Sequence, residues 1–210
     1  NKAEGHRKLQ ASLPNLNGKT IPIAMDEWNY WYPEYEYGEL GCVYELRDAL
    51  GIAAGLHEYF RNTDIIQMAH YAQTVNVIGC IKTTKTDAFL ATTALPLMLY
   101  RNEFGTRPLD IEGNAGLLAI DVSAALTEDV SALTIGIVNP NGEPKSLKLD
   151  LGGLKPVGPI TLWQIQGDDP TAANSIDAQP VGIEKTDNAA FGQSVTVPPY
   201  SVNLYKMPLK

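Results

Sequence analysis

The sequence predicts an α/β segment that runs into an all-β domain. Residues 1–104 read as the last part of a larger parallel α/β array, and residues 105–210 as an antiparallel, jelly-roll-like β-sandwich. Three observations lead there. Strand-like and helix-like stretches alternate between residues 20 and 104, which calls for parallel strands joined by helical crossovers. After Gly105 the texture changes to short β-rich runs separated by turn residues, with no long helical pattern among them. The 210 residues are 44% hydrophobic and 19% charged, enough to bury a core and ordinary for a globular chain.

Taken in order, TIPIAMDE is a short apolar run closed by two acids, the pattern of a strand buried on both faces. A loop rich in Tyr, Glu and Gly follows, then YELRDALGIAAGLHEYF. There Leu46, Leu50, Ala53, Leu56 and Phe60 recur at three- and four-residue spacing, which defines an amphipathic helix. Glu45 and Asp48 fall in its first turns, where carboxylates suit the positive end of the helix dipole. DIIQMAHYAQTVNVIG reads as a second buried strand that runs into a loop. TDAFLATTALPLMLYRNEFG reads as a further helix, interrupted or kinked at Pro96. Two such units cannot close a sheet by themselves, so they look like the tail of a larger array. Beyond them, LLAIDVSAAL, LTIGIVN, SLKLDLG, ITLWQIQG, SVTVPP and SVNLYKM are the expected strands, with Asn141-Gly142 as the strongest turn signal.

Composition excludes several classes of function. The net charge is −8 and no basic cluster exists, which argues against nucleic acid and anionic membrane surfaces as partners. No apolar run approaches the ~20 residues that span a bilayer. Cys42 and Cys80 have neither CxxC nor metal-ligand spacing and read as free thiols of a reducing compartment. With no Asn-x-Ser/Thr sequon, they lean to a cytoplasmic location, with secretion as the alternative because the N-terminus is not in view. The opening NKAEGHRKLQ has no initiator Met and no signal-peptide pattern, so an N-terminal portion is expected upstream. GxSxG, GxGxxG and P-loop motifs are absent, and no cofactor or metal site is expected. Of the three histidines, His57 is expected on a helix surface and His70 as a satisfied buried residue, with neither a ligand.

The chemistry-bearing stretch is MDEWNYWY, residues 25–32. Alternation along a strand puts Ile21, Ile23, Met25 and Glu27 on one face and Pro22, Ala24 and Asp26 on the other. Only one of the two acids can then face a site at the strand's carboxyl end, where parallel α/β architectures bind their ligands. Trp28, Asn29, Tyr30, Trp31 and Tyr32 follow at once. Aromatics beside an acid make a stacking wall for a sugar ring, and Asn supplies orienting hydrogen bonds. A helix cap or a solvated charge beside core aromatics is the plainer reading of the same residues.

MDEWNYWY resembles the nucleophile motif of the family 51 glycoside hydrolases, the α-L-arabinofuranosidases. The similarity continues through LRDALGIAAGLHEYFRNTDIIQMAHYAQTVNVIGCI and TTALPLMLY, and into LWQIQGDDPTAANSIDAQPV and VPPYSVNLY of the β part. The resemblance implies that residues 1–104 close a (β/α)8 barrel, the strand at Glu27 being its seventh and the strand before Gln73 its eighth. It implies Glu27 as nucleophile, Gln73 as a hydrogen-bonding partner of the furanose, Trp31 on the leaving-group side, and Asn29 and Asn76 as loop-ordering residues first, with Asn29 a weaker substrate-binding candidate. Asp26 is left a structural role. The substrate it implies is an arabinose-containing oligo- or polysaccharide, and the assembly a homo-oligomer of the full-length protein.

Retaining glycoside hydrolysis needs two carboxyl groups ~5–5.5 Å apart, a nucleophile and a general acid/base. The resemblance implies that the second lies upstream, in an Asn-Glu pair at the end of the fourth barrel strand. The pair present here, Asn102-Glu103, follows the last helical stretch, and Glu34, Glu36 and Glu39 read as solvated loop acids. The chain is therefore expected to hold the nucleophile half and to be inactive by itself. The alternative is a non-catalytic carbohydrate-binding or structural sandwich with a vestigial barrel fragment, for which Trp163 is as well placed inward as on display.

Overall fold

The computed structural model describes residues 2–16, 18–32 and 41–210. It opens with helix α1 (Lys2–Ala11), for which the sequence reading made no provision. Arg7 holds α1 down, donating to Asp64 at 2.6 and 3.1 Å and to Asn62 at 2.9 Å, while Ala3 packs on Ile65 and Ile66.

Strand β1 (Ile23–Trp28), helix α2 (Leu46–Phe60) and strand β2 (Ile66–Tyr71) form the expected unit, with β1 and β2 parallel. Helix α2 begins where its acids predict: Asp48 accepts the Glu45 backbone N–H at 2.8 Å, which satisfies one of the orphan donors of the first turn. Burial of the two strands differs from expectation. Along β2 only Ile66 is fully buried, and Ala24, Asp26 and Glu27 of β1 are exposed. Among the described residues the two strands pair only with each other, without flanking strands of the kind that bury a parallel strand on both faces.

A hairpin of β3 (Ile81–Thr83) and β4 (Ala88–Leu90) follows, where a helix was expected to begin. Helix α3 starts only at Ala94 and ends at Glu103. Pro96 thus falls in the first turn, where its missing N–H costs no intrahelical bond, and it marks a helix start rather than a kink.

The remaining strands are β5 (Arg107–Leu109), β6 (Asp121–Leu126), β7 (Ala132–Asn139), β8 (Lys145–Lys148), β9 (Thr161–Ile165), β10 (Glu184–Thr186), β11 (Ser194–Val197) and β12 (Ser201–Pro208). Six form one antiparallel sheet in the order β10-β9-β12-β7-β6-β5, and β8 pairs with β11 as a second, small sheet. Asn141-Gly142 lies in the turn after β7, but β7 and β8 do not pair. The turn carries the chain from one layer to the other.

Each face of the large sheet has its own core. Along β12, Val202 and Leu204 point to the helical side and meet Leu46, Leu50, Leu95 and Leu99, while Tyr205 and Met207 point to the β8–β11 side and meet Leu147, Val195 and Val197. Ile137, Val202, Leu204 and Met207 are completely buried, each stabilising the fold by about 1.5–3 kcal/mol on the area scale. The second sandwich layer is only two strands wide, and α2 and α3 cover the opposite face of the large sheet.

A polar chain crosses the seam between helices and sheet. His57 is fully buried, with Nδ1 2.5 Å from Asp121 Oδ1 and Nε2 2.5 Å from the Tyr100 hydroxyl. Arg61 holds the same carboxylate through both terminal nitrogens, at 3.1 and 3.0 Å. His57 is thus an interior residue and not a helix-surface one. His70 is exposed because the strand that carries it lacks a covering layer. Gly136 of β7 makes room for the chain: a Cβ there would lie 2.5 Å from the Tyr100 hydroxyl and 2.7 Å from His57 Nε2.

Candidate active site

The carboxyl ends of β1 and β2 lie side by side. The register pairs Met25 with Ala69 and Trp28 with Tyr71, so β1 advances three residues while β2 advances two. The extra residue falls at Asp26–Glu27. An extra residue of this kind re-aims side chains, so strict alternation does not decide which acid faces which way. Both carboxylates are exposed, and β1 runs one residue past Glu27, to Trp28. Gln73, two residues beyond the end of β2, is exposed as well.

Trp28 anchors the end of β1. Its ring meets Tyr59 and Tyr71 edge-on at 5.0 and 5.8 Å, and a Cβ on Gly55 of α2 would lie 3.1 Å from it. Asn29 is half-buried, and its amide nitrogen donates to the Tyr44 hydroxyl at 2.9 Å and to the Ile78 carbonyl at 2.5 Å. Those bonds commit it to ordering the loop. Tyr32 reaches back to α2 and donates to Asp48, with burial the first reason its hydroxyl titrates well above the usual tyrosine range. Trp31, by contrast, is 68% exposed, an open indole face beside the strand ends. Glu34, Glu36 and Glu39 lie outside the described residues.

A cavity of about 420 Å³ separates the β3–β4 hairpin from the loop after β9; Tyr44, Lys82, Phe89 and Asn174 help to line it. Lys82 donates to the Val77 carbonyl at 3.0 Å and lies over the Tyr44 ring at 5.2 Å, and burial pushes its ammonium down to about 8. The sequence reading passed over Lys82 and Tyr44. A lone lysine in a three-residue strand and a tyrosine ahead of a helix have no periodic signature. Cys42 and Cys80 are both free. Asn102-Glu103 ends α3, and Glu103 accepts a hydrogen bond from Lys206 of β12 at 3.3 Å. Trp163 packs on the helix-side core beneath the Lys185 ammonium, so it does not form an open sugar platform. Among the described residues no His/Cys/Asp/Glu group is arranged to hold a metal, and no helix is long and apolar enough to cross a membrane.

Comparison with known proteins identifies the family of the chain. The family model for the α-L-arabinofuranosidase C-terminal domain matches residues 26–201, and the chain belongs to that family. It is 32% identical over 202 residues to α-L-arabinofuranosidase C of Emericella nidulans, covering 88% of this chain and 39% of that protein. It is 27% identical over 158 residues to the intracellular exo-α-(1→5)-L-arabinofuranosidase 1 of Bacillus subtilis, covering 65% of this chain and 32% of that one. The chain thus spans less than half the length of these curated relatives. In fold it resembles the arabinose complex of α-L-arabinofuranosidase from Thermotoga maritima, with a TM-score of 0.84 at 23% identity over 99% of this chain and 47% of that one. The family 51 enzyme of Thermotoga petrophila gives a TM-score of 0.82 at 23% identity, over 98% of this chain and 47% of that one.

Proposed function

We propose that this chain is the nucleophile-bearing part of a retaining α-L-arabinofuranosidase that releases terminal arabinofuranosyl residues from arabinose-containing oligo- or polysaccharides. In this reading residues 1–104 supply the closing strands and helices of a (β/α)8 barrel, and residues 105–210 form the β domain packed on it. The observation that carries the reading is the placement of Glu27. It is an exposed carboxylate at the carboxyl end of a parallel strand, beside the end of β2 that leads to Gln73, within the stretch matched by the family model. The acid/base carboxyl comes from the remainder of the full-length enzyme, and assembly into a homo-oligomer belongs to the same reading.

Glu27 attacks the anomeric carbon while the acid/base protonates the leaving oxygen, and water then hydrolyses the glycosyl-enzyme. Gln73 hydrogen-bonds the furanose, the Trp31 face flanks the leaving group, and Asn29 sets the loop between them. Trp28 and Asn29 are held by their packing and hydrogen bonds, so the segment bearing Glu27 is fixed before substrate arrives.

Glu27→Ala in the full-length enzyme tests this. Turnover of an aryl arabinofuranoside should fall by several orders of magnitude with little change in ground-state binding. Azide should restore turnover and yield the arabinosyl azide of inverted configuration, because the small anion occupies the vacated face. Asp26→Ala should leave most of the turnover in place. Near-normal activity in Glu27→Ala, with chemistry lost in a folded Asp26→Ala, would assign the nucleophile to the other acid.

A further inference from the structure

We propose that Tyr44 is a positioning residue for the reaction, clasping the strand end that bears Glu27 to the loop that bears Gln73. The inference rests on the roles given above to those two residues.

Three residues from two segments converge on the Tyr44 hydroxyl. It accepts a hydrogen bond from Asn29 Nδ2 at 2.9 Å and donates to the Tyr30 carbonyl at 2.7 Å. Asn29 Nδ2 spends its other hydrogen on the Ile78 carbonyl at 2.5 Å, and that oxygen is 3.1 Å from the Tyr44 hydroxyl. Asn29 and Tyr30 stand just after Glu27, and Ile78 stands in the loop that Gln73 opens. The ring itself is 1% exposed, packed with Cys42, Ala91 and Ile78, and burial holds its hydroxyl protonated far above neutral pH.

The clasp takes over where the backbone ladder stops. Pairing of β1 with β2 ends at Trp28 and Tyr71, followed by one bond from the Ala72 N–H to the Trp28 carbonyl at 3.3 Å. The register irregularity sits directly before that end, at Asp26–Glu27, so the ladder does not set the direction of the Glu27 side chain. The next fixed points along the chain are Trp28, wedged on α2, and Asn29 and Tyr30, bonded to Tyr44. Tyr44 is in turn held by the entry to α2, where the Leu46 N–H donates to the Ala172 carbonyl at 2.8 Å. A hydroxyl buried at this junction sets the separation of the two strand ends, and with it the distance from the nucleophile to the group that orients the sugar.

Tyr44→Phe in the full-length enzyme keeps the ring and removes the clasp. A misplacement of the nucleophile by ~1 Å costs on the order of 100-fold in rate, so kcat should fall ~10–100-fold with KM within about twofold. Asn29→Ala should give a comparable loss, and the double variant should be no worse than the poorer single, since both remove one linked set of bonds. Single-turnover glycosylation rates, taken at a temperature where near-ultraviolet circular dichroism shows each variant folded, give the readout. Should Tyr44→Phe not fold, Asn29→Ala carries the same test alone. Wild-type kcat in a folded variant overturns the inference, as does a raised KM at unchanged kcat or full additivity in the double variant. Glu27→Ala is assayed in parallel. If it retains activity, the assignment of the nucleophile fails; if it is inactive while Tyr44→Phe turns over normally, only the role of Tyr44 falls.

Discussion

Replacing His57 by Leu tests how the helices are joined to the large sheet. Leucine fills a similar volume, so the loss is chiefly polar. The bond from Nδ1 to Asp121 has a charged acceptor, and such bonds contribute about 1.5–3 kcal/mol; the buried Tyr100 hydroxyl, stranded without the imidazole, costs about 1–3 kcal/mol. Asp121 keeps Arg61, which limits the total to about 3–5 kcal/mol, a large share of the ~5–15 kcal/mol that holds a typical domain. Adding Tyr100→Phe removes the stranded donor and should return about 1–2 kcal/mol. Urea unfolding at pH 7, read as a shift in midpoint at unchanged m, measures both steps. The pH dependence supplies an independent check. Burial holds His57 below its ordinary 6.5 against the pull of Asp121, so the folded chain keeps it neutral while the unfolded chain takes up a proton near pH 6.5. Stability is therefore complete above that pH and declines as pH falls below it, at up to about 1.4 kcal/mol per unit. Burial alone would raise Asp121, but the bonds from His57 and Arg61 outweigh it, and a second loss begins as pH falls below 3.8. The step that begins near pH 6.5 should be missing from His57→Leu. A loss under about 1 kcal/mol in His57→Leu, or a double variant weaker than the single, would refute the account of this network.

Gly136→Ala places a methyl group against Tyr100 and His57 and should cost about 1–3 kcal/mol in the same urea assay; a neutral result would mean the helices stand off the sheet. Gly41 has φ of +68°, and a Cβ there would lie 2.0 Å from the Val77 carbonyl oxygen, so Gly41→Ala should lower the thermal midpoint. An unchanged midpoint would contradict that geometry. Lys82 releases its proton at about 8 in the folded chain and near 10.5 in the unfolded one, so the unfolded chain holds more protons between those values and wild-type stability rises with pH there. The stability of Lys82→Met relative to wild type should accordingly decline from pH 8 to pH 10, and a flat difference would show that the ammonium is not held down by burial.

Much of the fold was legible because burial imposes a period on the chain. The spacing of Leu46, Leu50 and Ala53 gave α2, and alternating or continuous apolar runs gave β6, β7, β8, β9, β11 and β12. The strands β3, β4, β5 and β10 were missed because each is three residues long, too short to show a period. Helix α1 was missed for another reason: its polar face is held by Arg7 and Asp64, 57 residues apart, and not by an apolar stripe.

Among the candidate site residues, strand-end position and neighbouring aromatics drew attention to Glu27, and the family resemblance singled out Gln73, Trp31 and Asn29. Asn29 reads as a loop-ordering residue before a sugar-binding one, but its partners are not legible. Its amide is bonded to Tyr44 and Ile78, partners 15 and 49 residues away, which local sequence does not announce.

The sequence by itself determined which periodically patterned segments become helix or strand, where the texture changes near Gly105, and which stretch carries the acids and aromatics, since these follow from local spacing and side-chain chemistry. Only the tertiary structure decided that the residues read as one sheet pair divide six strands to two, that His57 is interior while His70 is exposed, and that the register slips at Asp26–Glu27. Each of these depends on what another part of the chain packs against or pairs with, and contacts between residues dozens of positions apart leave no periodic trace in the sequence.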